Sequence, residues 1–180
     1  FKKPKYLLTS LLSAEFWRRK FAQHNASQLY DQLAEKPDFS EIYIYLPLHM
    51  QPEATTCPMA GVFTDQELMV QMLAAHLPSD IKIFVKEHPA QGEMSRSKAF
   101  YESLEAIPSV KLIHRNFNTF ALTEHAVAVA TATGTAGFEG LFRGKPVIMF
   151  GYRFFQYAPG IWRVSTNDDC KEAIQSIVEQ

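Results

Sequence analysis

The stretch VAVATATGTAGFEGLFRGKPVIMFG, residues 127–151, contains the pattern that decides the fold. It begins with a short apolar run, passes through a turn of threonine, alanine and glycine into a helical segment, and ends in a second apolar run. Strand, small-residue turn, helix and strand in this order predict one unit of a parallel α/β sheet. Because small residues let another group come close to the backbone, the turn is a candidate binding loop.

Strands and helices alternate in the same way on both sides of this stretch. The predicted strands are 42–49, 81–89, 110–114, 127–131 and 146–151. The predicted helices are 13–35, 65–77, 95–106, 118–125 and 135–142, with a last helix capped by Asp168 or Asp169. The strands are mostly continuous apolar runs, as expected when helices cover both faces of a sheet. The pattern therefore predicts an α/β fold with a Rossmann-like parallel sheet of about five or six strands.

Composition restricts the class of function. The chain has 180 residues, about one domain, of which 47% are hydrophobic, and its net charge is -1. No global field is expected to attract nucleic acid. The two cysteines, Cys57 and Cys170, form no CxxC pair, which argues against a zinc site and fits a reducing compartment. No apolar run approaches the roughly 20 residues of a membrane helix, and we find no signal peptide.

Polar side chains follow three of the predicted strands. The first strand ends at His49 and is followed by Gln51 and Glu53, the second ends in Lys86 and His88, and the turn of residues 131–137 follows the fourth. Ligands of open α/β sheets bind beyond the carboxyl ends of the strands. Since these ends meet at one edge of a parallel sheet, we expect the three clusters to form one binding site.

The turn has the chemistry of a phosphate site. The first N–H groups of the helix that follows it lack partners within the helix and can bind an anion, phosphate above all. Gly134 and Gly137 permit close approach of the backbone, and the hydroxyls of Thr133 and Thr135 can donate to phosphate oxygens. The same residues are equally compatible with a tight connection in which a threonine only caps the helix. Neither GxGxxG nor GxxxxGK[ST] occurs in the sequence.

His88 is the candidate for contact with a leaving oxygen. It precedes Pro89, and a residue before proline is driven into an extended conformation, which we expect to aim the imidazole into the crevice. Lys86 lies two residues earlier and is predicted on the same face, so a cation beside an imidazole suggests an anionic ligand. A His-Pro pair is also a common structural stop. Glu139 could hold a ribose or be a solvated helix residue, and its position alone leaves both open.

Three segments together resemble the capsule polysaccharide biosynthesis proteins, bacterial glycosyltransferases that are similar to the retaining β-Kdo transferases. They are PLHMQPEATT, FVKEHP and TATGTAGFEGLFRGKPVIMFG. The Gln-Pro and His-Pro motifs of that family correspond to Gln51-Pro52 and His88-Pro89, and the resemblance covers roughly residues 40–175. Lys-x-His-Pro also resembles the CDP-glycerol glycerophosphotransferases, and the Gly-Thr turn with GKPVI resembles the UDP-sugar 2-epimerases. These families and a non-catalytic docking domain remain the alternatives.

The resemblance implies a GT-B architecture of two Rossmann-like domains, in which this chain is the C-terminal, donor-binding half. Residues 1–40 would form a basic arm and connector helix, and residues 41–180 the nucleotide-sugar-binding domain. The implied donor is CMP-Kdo or a related nucleotide sugar, with no cofactor and no metal. The implied acceptor is a lipid-linked glycan bound through the N-terminal domain, and the implied location of the full-length protein is the cytoplasm. Lysines in the basic arm could add a peripheral contact with the inner face of the membrane, each worth about 1 kcal/mol.

The resemblance also implies roles for particular residues. His88, followed by Pro89, would contact the CMP phosphate and stabilise it as the leaving group. The residues that would hold the phosphate from the opposite side are Thr133, Gly134, Thr135 and Ala136. Glu139 would bind the ribose, Gln51 would line the donor site and Lys86 would add positive charge. The acidic nucleophile or base belongs to the N-terminal domain of such enzymes, so these 180 residues are expected to bind a nucleotide without turning it over.

Overall fold

The computed structural model describes residues 13–91 and 96–179. Its strands are β1 (Ile42–Pro47), β2 (Ile81–Lys86), β3 (Val110–Ile113), β4 (Ala128–Thr131), β5 (Val147–Met149) and β6 (Ile161–Arg163). Its helices are α1 (Ala14–Leu33), α2 (Gln66–His76), α3 (Lys98–Glu105), α4 (Thr119–His125), α5 (Thr135–Leu141) and α6 (Asn167–Val178), and a 3-10 turn spans Gly61–Thr64. The basic arm predicted at the start of the chain lies outside the described residues, apart from its helix.

The strands form one six-stranded sheet in the order β3-β2-β1-β4-β5-β6. Every neighbouring pair is parallel, with Ile44 opposite Ile83 on one side of β1 and opposite Ala128 on the other. The prediction of a Rossmann-like parallel sheet is therefore confirmed. The chain winds outward in one direction from β1 and in the other from β4, so the carboxyl ends of these two strands flank the crevice where such folds bind ligands.

Alternate residues along the strands face two separate apolar layers. Ile44 and Ile83 face a core that is completed by side chains of α1, α2, α3 and α6. Tyr43 and Phe84 face the other core, completed by α4 and α5, and their rings stack with centroids 3.9 Å apart. Full burial of one such side chain contributes about 1.5–3 kcal/mol to the free energy of unfolding, so both layers stabilise the position of the sheet.

Helix α1 packs as part of the larger core. Ser13 caps its first turn by accepting a hydrogen bond from the N–H of Phe16. Tyr30, near its other end, is fully buried and packs on Tyr101 of α3 with ring centroids 5.1 Å apart. The Tyr30 hydroxyl donates to the carbonyl of Ile113 and accepts from the N–H of Glu87, so the helix is fastened to the carboxyl ends of two strands.

Two details differ from the sequence prediction. The cap of the last helix is Thr166 and not Asp168 or Asp169, because Thr166 lies one turn earlier and closes a reciprocal capping box with Asp169. The Asp169 carboxylate accepts the N–H groups of Ser165 and Thr166, and these hydrogen bonds lower its pKa. Strand β6 was not predicted, because it has only three residues, at the partly exposed edge of the sheet.

Candidate functional site

A cavity of about 280 Å³ opens at the carboxyl ends of β1, β2 and β4. Among the residues predicted for the site, its lining includes His88, Thr133, Gly134, Thr135 and Ala136. The expectation that the second and fourth strand ends share one crevice therefore holds. A larger cavity of about 450 Å³ lies at the amino ends of β5 and β6. We take the smaller cavity as the candidate site because it combines titratable side chains with the switch point.

His88 is exposed and lines the cavity. Its Nδ1 accepts a hydrogen bond from the N–H of Ala90 at 3.1 Å. In the neutral imidazole this bond assigns the proton to Nε2, which is then a donor. The N–H of His88 itself donates to Oε1 of the buried Glu87 at 2.8 Å, so the segment after β2 is held at two points.

His49 belongs to the polar cluster predicted at the end of the first strand, but the sequence prediction gave it no role in the site. It follows β1, is 8% exposed and lines the cavity. Its Nε2 accepts the N–H of Ala132 at 3.1 Å and lies 3.0 Å from Oγ1 of Thr131. Burial, together with the positive charge of Arg96, lowers the pKa of His49 to about 4. The imidazole is therefore neutral at pH 7, and its proton is on Nδ1.

The turn after β4 is packed around the ring of His49. The N–H of Gly134 donates to Oγ1 of Thr131 at 3.0 Å. A methyl group at Gly134 would lie 2.8 Å from Cε1 of His49, so the group that approaches this glycine from within the protein is an imidazole. At Gly137 a methyl group would lie 2.8 Å from Cγ2 of Thr131. Close packing between helix α5 and strand β4 therefore accounts for a glycine at this position.

Thr133 and Thr135 differ in whether their hydroxyl groups are available to a ligand. Thr133 is fully buried and its hydroxyl donates to the carbonyl of Thr55, so it is not available to phosphate as we had expected. Its role is to join the turn to the loop after β1. Thr135 is exposed, and within the described residues neither its hydroxyl nor the N–H groups of Thr135 and Ala136 have a hydrogen-bond partner. These groups are the candidate donors that the turn offers.

The structure places Lys86 and Gln51 away from the cavity lining. Lys86 is 3% exposed, and its Nζ donates to the carbonyl of Arg115 at 2.9 Å. Burial lowers the pKa of Lys86. The prediction that Lys86 shares a face with His88 is wrong, because β2 ends at Lys86 and the alternation of a strand does not continue beyond it. Gln51 donates to the carbonyl of Thr64 at 2.6 Å and so braces the loop.

Glu139 lies on α5, half-buried, and is not among the described residues that line the cavity. Its charge, after the larger effect of burial, helps to raise the pKa of Tyr45, which places it on the α4–α5 side of the sheet. Its contact with a ribose stays a prediction.

A buried ion pair connects the loops that carry His49 and His88. Nε of Arg96 lies 3.0 Å from Oε2 of Glu87, and both side chains are at most 5% exposed. Arg96 also donates to the carbonyl of His49 at 3.0 Å and to Oε1 of Gln51 at 2.7 Å. One guanidinium thus holds the backbone after β1 against the carboxylate after β2. Removal of one partner of such a pair typically costs about 3–5 kcal/mol.

Two further charged residues line the cavity: Glu53, which belongs to the polar cluster predicted after the first strand, and Arg153, which was not predicted. Glu53 lies on the exposed loop after β1, and Arg153 on the loop after β5. Arg153 begins the stretch of residues 153–163, which is rich in aromatic residues. The sequence pattern there indicates packing and does not draw attention to the charge. Within the described residues, no group of three or more His, Cys, Asp or Glu side chains could hold a metal ion.

Fold and cavity together define a Rossmann-like protein with a binding crevice at the switch point of its sheet. The sequence matches the family model described as "Capsule polysaccharide biosynthesis protein" over residues 17–174. The chain therefore belongs to the capsule polysaccharide biosynthesis proteins, as the motif resemblance predicted. A comparison with curated proteins finds no significant match.

Solved structures with the same fold include two transferases and an epimerase. The KpsC β-Kdo 2,7 transferase of Thermosulfurimonas dismutans aligns with a TM-score of 0.57 and 18% identity, over 87% of this chain and 51% of that one. The KpsC β-Kdo 2,4 transferase of the same organism has a TM-score of 0.50 and 21% identity, over 87% and 55%. UDP-GlcNAc 2-epimerase of Methanocaldococcus jannaschii has a TM-score of 0.57 and 14% identity, over 89% and 44%.

The chain thus spans about half the length of the solved proteins with which it aligns. Within the part of the chain that the structure describes, no helix has both the length and the apolar character needed to cross a bilayer.

Proposed function

We propose that this chain is the nucleotide-sugar-binding domain of a glycosyltransferase that acts in capsular polysaccharide biosynthesis. The observation that carries the proposal is the cavity at the switch point, where the imidazoles of His49 and His88 lie beside the turn after β4. Membership of the capsule family supports the biosynthetic context. The fold shared with a β-Kdo transferase is in keeping with a donor of the CMP-Kdo type.

The chemistry of the cavity suits a phosphate group. Nε2–H of His88, Nδ1–H of His49 and the N–H groups of Thr135 and Ala136 are donors, and phosphate oxygens are acceptors. Negative charge grows on the departing phosphate as the bond to the sugar breaks. Fixed donors that meet this charge lower the barrier because they need no reorganisation at that moment. In this proposal His88 stabilises the leaving phosphate, and the turn holds it from the other side.

The second half of the enzyme completes the reaction. The proposal places the lipid-linked acceptor and the acidic nucleophile or base on the other domain, so this chain alone binds the donor without transferring the sugar. Fixed donors take the place of a divalent metal. The enzyme works in the cytoplasm, on the inner face of the membrane where its acceptor is held.

A UDP-sugar is the second candidate ligand. The epimerase structure, which contains UDP-GlcNAc and UDP, aligns with the same TM-score of 0.57 as the transferase. Similarity of fold therefore does not distinguish between a CMP-linked and a UDP-linked donor. CDP-glycerol remains a further alternative on the Lys-x-His-Pro motif, and a docking domain would bind none of these molecules.

A thermal-shift titration with CMP, CDP, UDP and GDP tests the proposal. A ligand at 100 times its dissociation constant stabilises a fold by about 2.7 kcal/mol, which moves the melting temperature by several degrees. We expect a shift with CMP that His88→Ala abolishes or strongly reduces. His114→Ala is the matched control, because His114 is also exposed and lies outside the cavity.

The outcomes separate the candidates. A shift with UDP alone would replace the Kdo-type donor by a UDP-sugar, and a shift with CDP alone would favour the glycerophosphotransferase relatives. An equal loss in His88→Ala and His114→Ala would argue against contact between His88 and the ligand.

A further inference from the structure

Arg153 brings to the cavity a positive charge that has no ion-pair partner among the described residues. It lines the cavity together with His49 and His88, and its side chain is half-buried. Its Nε is buried and has no hydrogen-bond partner. Within the described residues no carboxylate lies within ion-pair distance of its guanidinium. The charge is close enough to His49 to contribute to the lowered pKa of that imidazole, after burial and the charge of Arg96.

Four other arginines among the described residues each have a partner. Arg96 pairs with Glu87, and Arg115 pairs with Asp31. Arg143 donates to the carbonyl of Glu139, and Arg163 lies over the ring of Tyr157. An unpaired guanidinium with a buried nitrogen loses hydration without compensation, which is unfavourable. The exception at Arg153 therefore indicates a place where an anion completes the interaction.

The loop that carries Arg153 is held firmly against the turn after β4. The N–H of Gly151 donates to the carbonyl of Ala132 at 2.8 Å, and a methyl group at Gly151 would lie 2.6 Å from Cγ2 of Thr133. Phe155 is 6% exposed and packs on Phe138 of α5 with ring centroids 5.2 Å apart. Anchors on both sides of Arg153 fix its backbone beside the donors of the turn.

We propose that Arg153 binds the phosphate group of the nucleotide in this cavity. The inference rests on the proposed function and adds the cation that the site otherwise lacks. Arg153 is the one lysine or arginine among the described residues that line the cavity, and His49 is neutral. Lys86, which we had expected to supply the charge, is occupied elsewhere. A guanidinium presents a planar fork of donors that matches two phosphate oxygens.

Isothermal titration of the 180-residue chain with CMP and with pyrophosphate tests the proposal. Pyrophosphate has no base or ribose, so it reports on the phosphate contact alone. We expect Arg153→Gln to weaken both ligands about tenfold or more, the loss typical of a hydrogen bond to a charged group. Arg153→Lys keeps the charge without the fork and is expected to restore part of the affinity. Arg143→Gln, outside the cavity, should bind both ligands as the wild type does.

The outcomes distinguish this inference from the proposed function. If the wild type binds CMP and Arg153→Gln binds it equally well, the Arg153 inference is overturned and the proposed function stands. If the wild type binds pyrophosphate but not CMP, and Arg153→Gln loses pyrophosphate, Arg153 binds a phosphate group in this cavity and the proposed CMP-type donor is wrong. Absence of binding to both ligands overturns both. Matching melting temperatures of the variants without ligand establish that each is folded.

Discussion

The imidazole of His49 packs against the backbone of Gly134 so closely that a methyl group at position 134 would lie 2.8 Å from its Cε1 atom. This contact joins the loop after β1 to the turn after β4 across the switch point of the sheet. It also gives His49 a defined orientation, with Nε2 on the N–H of Ala132. The site is therefore built from contacts between its own parts before any ligand enters.

Gly134→Ala is predicted to displace the His49 ring. Overpacking of this kind costs about 1–3 kcal/mol, and nucleotide affinity should fall as the Nδ1–H donor moves. Urea unfolding and nucleotide titration measure the two effects. The double variant His49→Ala, Gly134→Ala supplies the control: once the ring is gone, the added methyl group should cost much less than it does alone. Equal costs in both backgrounds would contradict a direct contact between these residues.

The buried pair of Glu87 and Arg96 is predicted to contribute far more to the free energy of unfolding than a partly exposed pair does. Glu87→Gln leaves the Arg96 guanidinium in the interior without its counter-charge, and we expect a loss of about 3–5 kcal/mol in the free energy of unfolding. Glu41→Gln is the same chemical change at the partly exposed pair with Lys111 and should cost at most about 1 kcal/mol. Similar losses in urea unfolding would show that the buried pair does not hold the loops.

Stability is predicted to depend on pH through His49. Its folded pKa of about 4 lies below the ordinary value of 6.5, so the unfolded chain binds more protons between these values. The free energy of unfolding should therefore fall as the pH decreases from 6.5 toward 4, by an amount on the order of 3 kcal/mol from this group. Comparison of wild type, His49→Gln and His114→Gln across this range isolates the contribution. A slope that His49→Gln leaves unchanged would contradict a buried neutral His49.

The two cysteines are predicted to differ in reactivity. Burial, with a smaller effect of the Asp169 charge, raises the pKa of the Cys170 thiol to about 12, whereas Cys57 is exposed. Since the thiolate is the reactive form, iodoacetamide at pH 8 should label Cys57 in the folded protein and both cysteines after unfolding. Mass spectrometry of the labelled peptides checks this. Labelling of Cys170 at the rate of Cys57 in the native state would contradict its burial in the core.

Local signals explain which parts of the molecule could be predicted from the sequence. The apolar runs of β1 and β2 predict strands because both faces of these strands are buried. The small residues around Gly134 and the proline after His88 mark the turn and the strand end directly. Strand β6 was missed because three partly exposed residues carry too little apolar pattern.

The rest of the site depends on contacts that are distant in sequence. His49 takes its role from Ala132, and no spacing in the sequence connects the two residues. Arg153 stands out because its buried Nε has no hydrogen-bond partner. Such a missing contact is visible in a structure but not in a sequence. The assignment of Lys86 failed for a related reason: the rule of alternating faces holds only within a strand, and the strand ends at Lys86.

The most direct test of the central claim is a titration of the ¹⁵N-labelled chain with CMP, followed by NMR of the backbone amides. The account predicts that the N–H signals of Thr135 and Ala136 shift most, since these groups point to the bound phosphate. Gly144 and Gly160, which line the larger cavity at the amino ends of β5 and β6, serve as the internal control and should not move. Shifts confined to Gly144 and Gly160, or no shifts at saturating CMP, would contradict a phosphate site at the switch point.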